Sequence, residues 1–346
     1  MRRFSPEGSV PILSVEGTAF ECGEQLGFAW RHTVKANAEA ARGRWTPWWW
    51  KGRGGLAAEL VERIAPFLPD LFRGIAKGAG IDESLAGYAP IAAPVAGCTS
   101  FGVHKDQTLD GHPISGQTKD TDLDRTFFYQ VLRVKIAYGP GYLTVTYPGE
   151  FFGHGFASPG TSVFRNSLFV TTTGTGGELP YDAFGLLALF SKSVDEVAEV
   201  AQRHGVRTVG HVSVSEASGR TVGFELCQGR VELINGRNGL YAHSNHTVSP
   251  ALRALVTEKD TEAERDSASQ HRERRLYELM EQERGRLTPQ IMLRCLADHA
   301  GYPLSICRHH SRRSHTTAAI VVEPSRGLLH VTRGNPCQNW PTTYTL

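Results

Sequence analysis

The sequence has only six cysteines in 346 residues and no C-x-x-C pair among them. That scarcity excludes a disulfide-built scaffold, which crowds cysteines into a short chain. Long apolar runs are also missing. The longest, 183–190, is far short of the about 20 residues a membrane span requires. The opening Met1-Arg2-Arg3-Phe4-Ser5-Pro6 carries charge without the apolar stretch of a secretory signal. A cytoplasmic chain with reduced thiols is therefore expected, where the glycosylation sequon Asn245-His246-Thr247 has no consequence. Charge of one sign is not in excess. The 37 Lys and Arg against 35 Asp and Glu leave +2, which removes the electrostatic argument for a dedicated nucleic-acid binder, since that would need a concentrated basic face. There is no internal repeat or low-complexity linker, and no Walker sequence, H-E-x-x-H or G-x-S-x-G.

What is present fits a globular chain of mixed α and β structure. Apolar residues make up 40% and charged residues 21%, and 37 glycines with 18 prolines point to many turns. A short strand is expected around 11–15, then helical stretches over 20–41 and 56–77, the second marked by Leu56, Leu60, Ile64, Leu68 and Leu71 at helical intervals. From about Thr99 the pattern turns to strands. Hairpins are expected around Gly139-Pro140-Gly141, Ala217-Ser218-Gly219-Arg220 and Pro324-Ser325-Arg326-Gly327. Helices are expected near 181–204, 266–283 and 289–299. Helices flanking strands joined by tight turns favour antiparallel sheets over a doubly wound one.

Several apparent sites fail on inspection. Gly174-Thr175-Gly176-Gly177 follows a strand, but Leu179 breaks the dinucleotide fingerprint. Asp120-Thr121-Asp122-Leu123-Asp124 imitates a calcium loop, yet Arg125 takes its glycine position and Val131 its bidentate glutamate position. Cys307-Arg308-His309-His310 with His315 has zinc-type ligands, but a polar loop beside a strand, rich in arginine, accounts for it, and no metal is expected. Trp45 and Trp48-Trp49-Trp50 read as packing between the early helices, with a pocket wall or an interface as the sharper alternative.

One motif survives. Gly97-Cys98-Thr99-Ser100-Phe101-Gly102 stands where the helical region gives way to strands. Alone, a cysteine here reads as a small buried hydrophobe. Its context changes that reading: Gly116-Gln117-Thr118-Lys119-Asp120 follows, and Ala242-His243-Ser244-Asn245-His246 lies further on.

With these pieces the sequence resembles the acyl-coenzyme A:6-aminopenicillanic acid acyltransferase family, the autoproteolytic cysteine members of the N-terminal nucleophile hydrolases. The segment from Val15 to Gly27 is similar to the family's opening strand-to-helix segment, and Gly97-Cys98-Thr99 to its self-cleavage site. Gly116-Gln117 with Asp120 resembles its Gly-Gln-Asn-Trp-Asp segment, Phe224-Glu225 the strand before the Asn motif, and His243-Ser244-Asn245-His246 the His-Thr-Asn-His motif. Ser305-Ile306-Cys307 and Gly334-Asn335-Pro336-Cys337 resemble two C-terminal signatures. The order and spacing of these pieces carry the match.

The resemblance implies an α+β, four-layer αββα sandwich of two antiparallel sheets. It implies one domain over 1–346, cut into an α fragment, 1–97, and a β fragment, 98–346, that stay associated. The Cys98 thiol would attack the Gly97 carbonyl, and hydrolysis would free Cys98 as a new N-terminus. Its α-amine, with a reference pKa of about 7.7–8.0, then serves as base to its own thiol at about 8.5. Asn245 is expected in the oxyanion hole, and Asp120 in processing and orientation of the site. Thr99, Lys119, His243 and His246 are candidates for the substrate pocket, the two histidines alternatively for structural roles. Thr118-Lys119 replaces the Asn-Trp of the penicillin enzyme, which points away from penicillin-type substrates.

The expected function is an acyltransferase or amidohydrolase acting on an amide or acyl thioester of a small molecule, with an amine acceptor where transfer outcompetes water. No metal, cofactor, nucleic acid or membrane partner is expected, and a homo-oligomer is compatible with the reading. Two alternatives stand beside it: a linear-amide or lipid-amide hydrolase of the same superfamily, and an unprocessed, non-catalytic homologue that binds a small molecule.

Overall fold

The computed structural model describes residues 9–43, 47–49, 55–88, 97–158, 160–170, 176–256, 263–309 and 314–346. The strands, in chain order, are β1 (Ile12–Gly17), β2 (Gly97–Val103), β3 (Ile114–Thr121), β4 (Gln130–Ile136), β5 (Gly141–Thr146), β6 (His154–Ala157), β7 (Thr161–Asn166), β8 (Leu179–Pro180), β9 (Val206–Arg207), β10 (Gly210–Ser215), β11 (Thr221–Cys227), β12 (Arg230–Asn235), β13 (Leu240–His243), β14 (His315–Glu323), β15 (Leu328–Arg333) and β16 (Thr342–Thr345). The α-helices are α1 (Ala19–Ala29), α2 (Arg31–Ala41), α3 (Leu56–Ile64), α4 (Leu68–Ala79), α5 (Tyr181–Phe190), α6 (Val194–His204), α7 (Pro250–Arg253), α8 (Ala263–Gln282) and α9 (Pro289–Leu296).

Two large sheets follow. One has eight strands in the order β1-β4-β5-β6-β7-β10-β11-β12, the other six in the order β13-β2-β3-β14-β15-β16. The three expected hairpins are β4–β5, β10–β11 and β14–β15, each antiparallel. Neighbours within both sheets run antiparallel except at one edge, where β1 lies parallel to β4. The chain leaves β1 through the helices and returns through β2 and β3, so a long crossover replaces a hairpin. A small β8–β9 pair, also parallel, stands apart.

Side-chain alternation along the strands sorts the core into layers. On β4, Leu132 and Val134 join α1 and α3–α6 in one cluster, whereas Val131 faces the other sheet. On β14, Ala319 and Val321 pack with α8 and α9, whereas Ala318, Ile320 and Val322 face inward. The result is the four-layer αββα sandwich. Its inner layer is apolar at one end, where Val145, Phe156 and Phe164 meet Ile320 and Val331. At the other end it is polar, with Ser115 on Ser162 and Lys119 on His154.

The long helical stretches are each divided. The 20–41 stretch breaks at Trp30, whose indole donates to Gln130 Oε1 at 2.9 Å. The 56–77 stretch breaks around Pro66, which has no N–H to continue the ladder. α1 opens on a capping box in which Thr18 Oγ1 and Glu21 Oε2 each accept the other residue's backbone N–H. α1 and α4 then cross in backbone contact: a Cβ on Gly23 would lie 2.0 Å from the Leu71 carbonyl oxygen, and one on Gly74 2.0 Å from that of Phe20. Trp48 and Trp49 both pack on Phe72, as helix-packing residues, while Trp45 and Trp50 lie outside the described residues. No described helix is long and apolar enough to cross a membrane.

Candidate active site

Cys98 is the second residue of β2, an inner strand hydrogen-bonded to β13 on one side and β3 on the other, with every residue of β2 buried. Small residues make that burial workable at the strand's start, since Gly97 stands directly opposite Asp120 and Cys98 opposite Lys119. Residues facing one another across a ladder share a face. The Cys98 side chain therefore stands with Ser100, Gln117 and Lys119 toward the polar end of the inter-sheet layer. Thr99 and Asp120 stand on the opposite face, under α8.

The backbone of Cys98 is held by two side chains. Its N–H donates to Asn245 Oδ1 at 2.9 Å, and its carbonyl accepts from Arg272 Nη1 at 2.8 Å. Arg272 also donates to Thr99 Oγ1 at 2.7 Å and to Asn245 Oδ1 at 2.8 Å. The carboxamide orientation follows from these partners. Its oxygen faces two N–H donors, and its Nδ2 donates to the Ser167 carbonyl at 2.7 Å, so the reverse orientation would set donor against donor. One N–H of that Nδ2 is thus engaged by Ser167.

Asp120 sits behind the Gly97–Cys98 peptide. Its Oδ1 accepts from Thr316 Oγ1 at 2.8 Å, while Oδ2 lies 3.8 Å from Arg272 Nη1 and, though buried, has no hydrogen-bond partner. A Cβ on Gly97 would come within 3.0 Å of that Oδ2 and 3.3 Å of Arg308 Nη1, so a larger residue there would need these buried side chains to give by a few tenths of an ångström. Burial pushes the Cys98 thiol above its ordinary pKa. The Asp120 carboxylate charge also disfavours the thiolate, whereas its backbone N–H favours it. The Lys119 charge, that backbone N–H and the Arg272 guanidinium pull it down without overcoming burial. Burial likewise draws Arg272 down to about 10 against the pull of Asp120.

The structure thus gathers Gly97, Cys98, Asp120 and Asn245, residues far apart in sequence. The pocket candidates divide. Lys119 faces the inter-sheet layer, its Nζ 3.0 Å from His154 Nε2. Thr99 is committed to Arg272 and accepts a second bond from Ser244 Oγ at 3.3 Å. His243 stacks on His211 with ring centroids 3.7 Å apart, and its Nε2 lies 2.8 Å from Glu225 Oε1. His246 engages Ser269 Oγ through Nδ1 at 2.9 Å. These two histidines are tied into buried hydrogen-bond networks.

Sequence reasoning missed Arg272, the largest fully buried side chain among the described residues. A signal existed: on α8, Ala268, Arg272, Leu276 and Met280 recur every four residues and are all buried, so a cation interrupts an apolar stripe. It also missed Tyr181 at the start of α5, whose hydroxyl is raised above its ordinary pKa chiefly by burial, with a further push from Cys98.

The zinc-type segment is also regrouped. Cys307 and His309 are joined by His299 and Cys337, and the four ligand atoms all lie within 4.8 Å of one another. His315 is not one of the four, and His310 lies outside the described residues.

Comparison with known proteins agrees with this architecture. A solved variant of the conjugated bile acid hydrolase from Clostridium perfringens superposes with a TM-score of 0.50 at 14% identity, covering 72% of this chain and 97% of that one. The penicillin V acylase from Agrobacterium tumefaciens aligns with a TM-score of 0.42 at 14% identity, over 68% of this chain and 83% of that one. The first likeness supports the fold, and the second is too loose to argue from. No curated protein sequence matches the chain. The profile of the acyl-coenzyme A:6-aminopenicillanic acid acyl-transferase family matches residues 110–338, a segment that starts after Cys98 and contains Asp120, Asn245 and Arg272. That segment is about two thirds of the chain, and the protein belongs to this family.

Proposed function

We propose that the protein is a self-processing cysteine N-terminal nucleophile enzyme, which cleaves or transfers the acyl group of a small-molecule amide or acyl thioester. The observation that carries this reading is the grip of Asn245 and Arg272 on the backbone of a buried cysteine, with a partnerless carboxylate oxygen of Asp120 beside Gly97.

Processing comes first. In the uncut chain burial keeps the thiol protonated, so attack on the Gly97 carbonyl needs a base. The Asp120 carboxylate lies on the face opposite the thiol, so water takes the thiol proton and carries it to the leaving nitrogen, while Asp120 positions the Gly97–Cys98 peptide from behind. As the Sγ–C bond forms, the Gly97–Cys98 C–N bond breaks and the nitrogen takes up the proton, leaving a thioester. Water then hydrolyses the thioester, which yields the Gly97 carboxylate and a free Cys98 amine and thiol. The fragments 1–97 and 98–346 stay together because β1 of the first pairs with β4 of the second.

Turnover uses the freed amine. It accepts the thiol proton, the thiolate attacks the substrate carbonyl, and the proton passes to the leaving nitrogen or sulfur. Asn245 Oδ1 holds the amine as it holds the N–H now, and the second N–H of Nδ2 donates to the oxyanion. Lys119, on the thiol's face, favours a substrate with a polar or anionic group. The acyl-enzyme is released to water or to an amine, according to which the pocket holds better.

Intact mass spectrometry of the wild type beside Cys98→Ala tests the reading. Two fragments meeting at Gly97/Cys98 are expected from the wild type, and one species from the variant. A wild type that stays whole after long incubation at neutral pH would remove the base and sink the proposal.

A further inference from the structure

We infer that His299, Cys307, His309 and Cys337 form a binding site for a zinc-type divalent cation. The argument is geometric. Cys307 Sγ lies 3.7 Å from Cys337 Sγ and 3.5 Å from His309 Nε2, Cys337 Sγ lies 3.3 Å from His309 Nε2, and the two histidine Nε2 atoms are 3.1 Å apart. All four ligand atoms fall within 4.8 Å of one another. With Zn–S of about 2.3 Å and Zn–N of about 2.0–2.1 Å, a tetrahedral site has edges of about 3.8 Å between sulfurs, 3.6 Å between sulfur and nitrogen, and 3.3 Å between nitrogens. These four edges come within a few tenths of an ångström of these values, and the two from His299 to the sulfurs are no longer than 4.8 Å.

The donor set points the same way. Two thiols and two imidazoles suit a borderline-soft cation and not magnesium or calcium. The alternative for two neighbouring cysteines is a disulfide, but 3.7 Å between sulfurs is far beyond a bond of about 2.05 Å. An outer partner is also in place: Asn335 Nδ2 lies 3.4 Å from Cys307 Sγ and donates to the Arg308 carbonyl at 2.9 Å. Outer partners of this kind orient a thiolate ligand. When the cation binds, each thiol loses its proton to solvent and each imidazole binds neutral through Nε2.

Four protein ligands leave no open position, so the site is a structural staple. It ties together the chain following α9, the 304–309 segment and the loop between β15 and β16. That segment reaches the catalytic candidates, since the Arg308 N–H donates to Thr316 Oγ1 at 2.8 Å and Thr316 Oγ1 donates to Asp120 Oδ1 at 2.8 Å. A cation here would hold in place the support behind Asp120, through a site independent of the proposed cleavage chemistry.

Metal analysis of the full-length chain, purified after exposure to zinc and desalting, tests the inference. About one zinc per chain is expected, with at least a tenfold fall in Cys337→Ser and in His299→Ala. Both positions are at the surface, so these variants should fold. Asn335→Ala should weaken affinity by about 10–100-fold. Cobalt titrated into the metal-free wild type should give thiolate-to-metal charge transfer and the d–d bands of a tetrahedral site, a readout that needs no variant. Wild type without zinc and without a tetrahedral cobalt spectrum, zinc content unchanged in both variants, or a Cys307–Cys337 disulfide found by mass would each overturn it.

Discussion

The carboxamide oxygen of Asn245, two residues past the end of β13, accepts the amide hydrogen of Cys98 on β2 at 2.9 Å. The same oxygen is fixed from behind by Arg272. In the proposed chemistry, Asn245 therefore holds the nitrogen that cleavage turns into the base, and its remaining N–H serves the oxyanion. Asn245→Ala should fold at a cost of about 1–3 kcal/mol for the donors it strands. Its turnover should fall by about two to three orders of magnitude. Steady-state rates on an amide substrate check this, and an unchanged rate would remove the oxyanion role.

Asp120→Asn keeps the shape of the side chain and can still accept from Thr316 Oγ1. It removes the negative charge that lies behind the Gly97–Cys98 peptide. Self-cleavage should slow by about a hundredfold, the usual cost of a misplaced reacting group. The time course of fragment appearance on a denaturing gel measures it, and cleavage at the wild-type rate would assign the carboxylate a purely structural role.

Arg272 makes three hydrogen bonds through two fork nitrogens. A lysine ammonium cannot reproduce that geometry. Arg272→Lys should lower stability by about 3 kcal/mol, from charge-assisted bonds lost in a buried site. Urea denaturation of the variant against the wild type gives the difference. Stability within error of the wild type would show that the fork is not needed.

The buried histidines set an acid limit. Burial, as the largest cause, holds His154 and His211 well below the ordinary histidine pKa and His246 at about 3. Below about pH 6.5 the unfolded chain binds protons that the native chain refuses, so stability falls with falling pH. Each histidine contributes on the order of 1.4 kcal/mol per pH unit. His243 goes the other way: burial lowers it, but Glu225 and Glu273 raise it above 6.5 overall. Its contribution is fully present below 6.5 and is lost as pH rises through the raised value. Glu225 is lowered from 4.5 against burial by His243 and the N–H groups of Val248 and Ser249, so its contribution is present above 4.5. Stability should peak near neutrality. His246→Asn should reduce the loss between pH 6 and 5 by about 1.4 kcal/mol, as read from urea midpoints, and an unaltered slope would contradict the assignment.

Gly23 and Gly74 let α1 and α4 touch through their backbones. Gly23→Ala places a Cβ against the Leu71 carbonyl, which neither helix can vacate without moving. A loss of about 1–3 kcal/mol is expected, typical of overpacking. A thermal midpoint equal to that of the wild type would show that the helices part freely.

Much of the fold was legible. Hairpins with glycine-rich turns announce themselves because turn chemistry is local, and β10–β11 and β14–β15 appeared around the expected turns. The breaks at Trp30 and Pro66 were less visible, since a helical period continues across a short interruption. The parallel β1–β4 edge was not visible at all, because strand direction depends on the path between two strands and not on either one.

The chain order of Gly97, Cys98, Asp120 and Asn245 by itself pointed to the family and to the residues worth placing, because residue type and spacing carry the chemistry. Which faces those residues turn to one another was decided only by the tertiary structure. Opposite pleats of β2 and β3 separate the thiol from the Asp120 carboxylate, and α8 delivers Arg272 from 174 positions away. Spacing also misgrouped Cys307 and His309 with their sequence neighbours. Folding joins them to His299 and Cys337 instead, since ligands meet through packing, and contact across 30 residues leaves no period in the sequence.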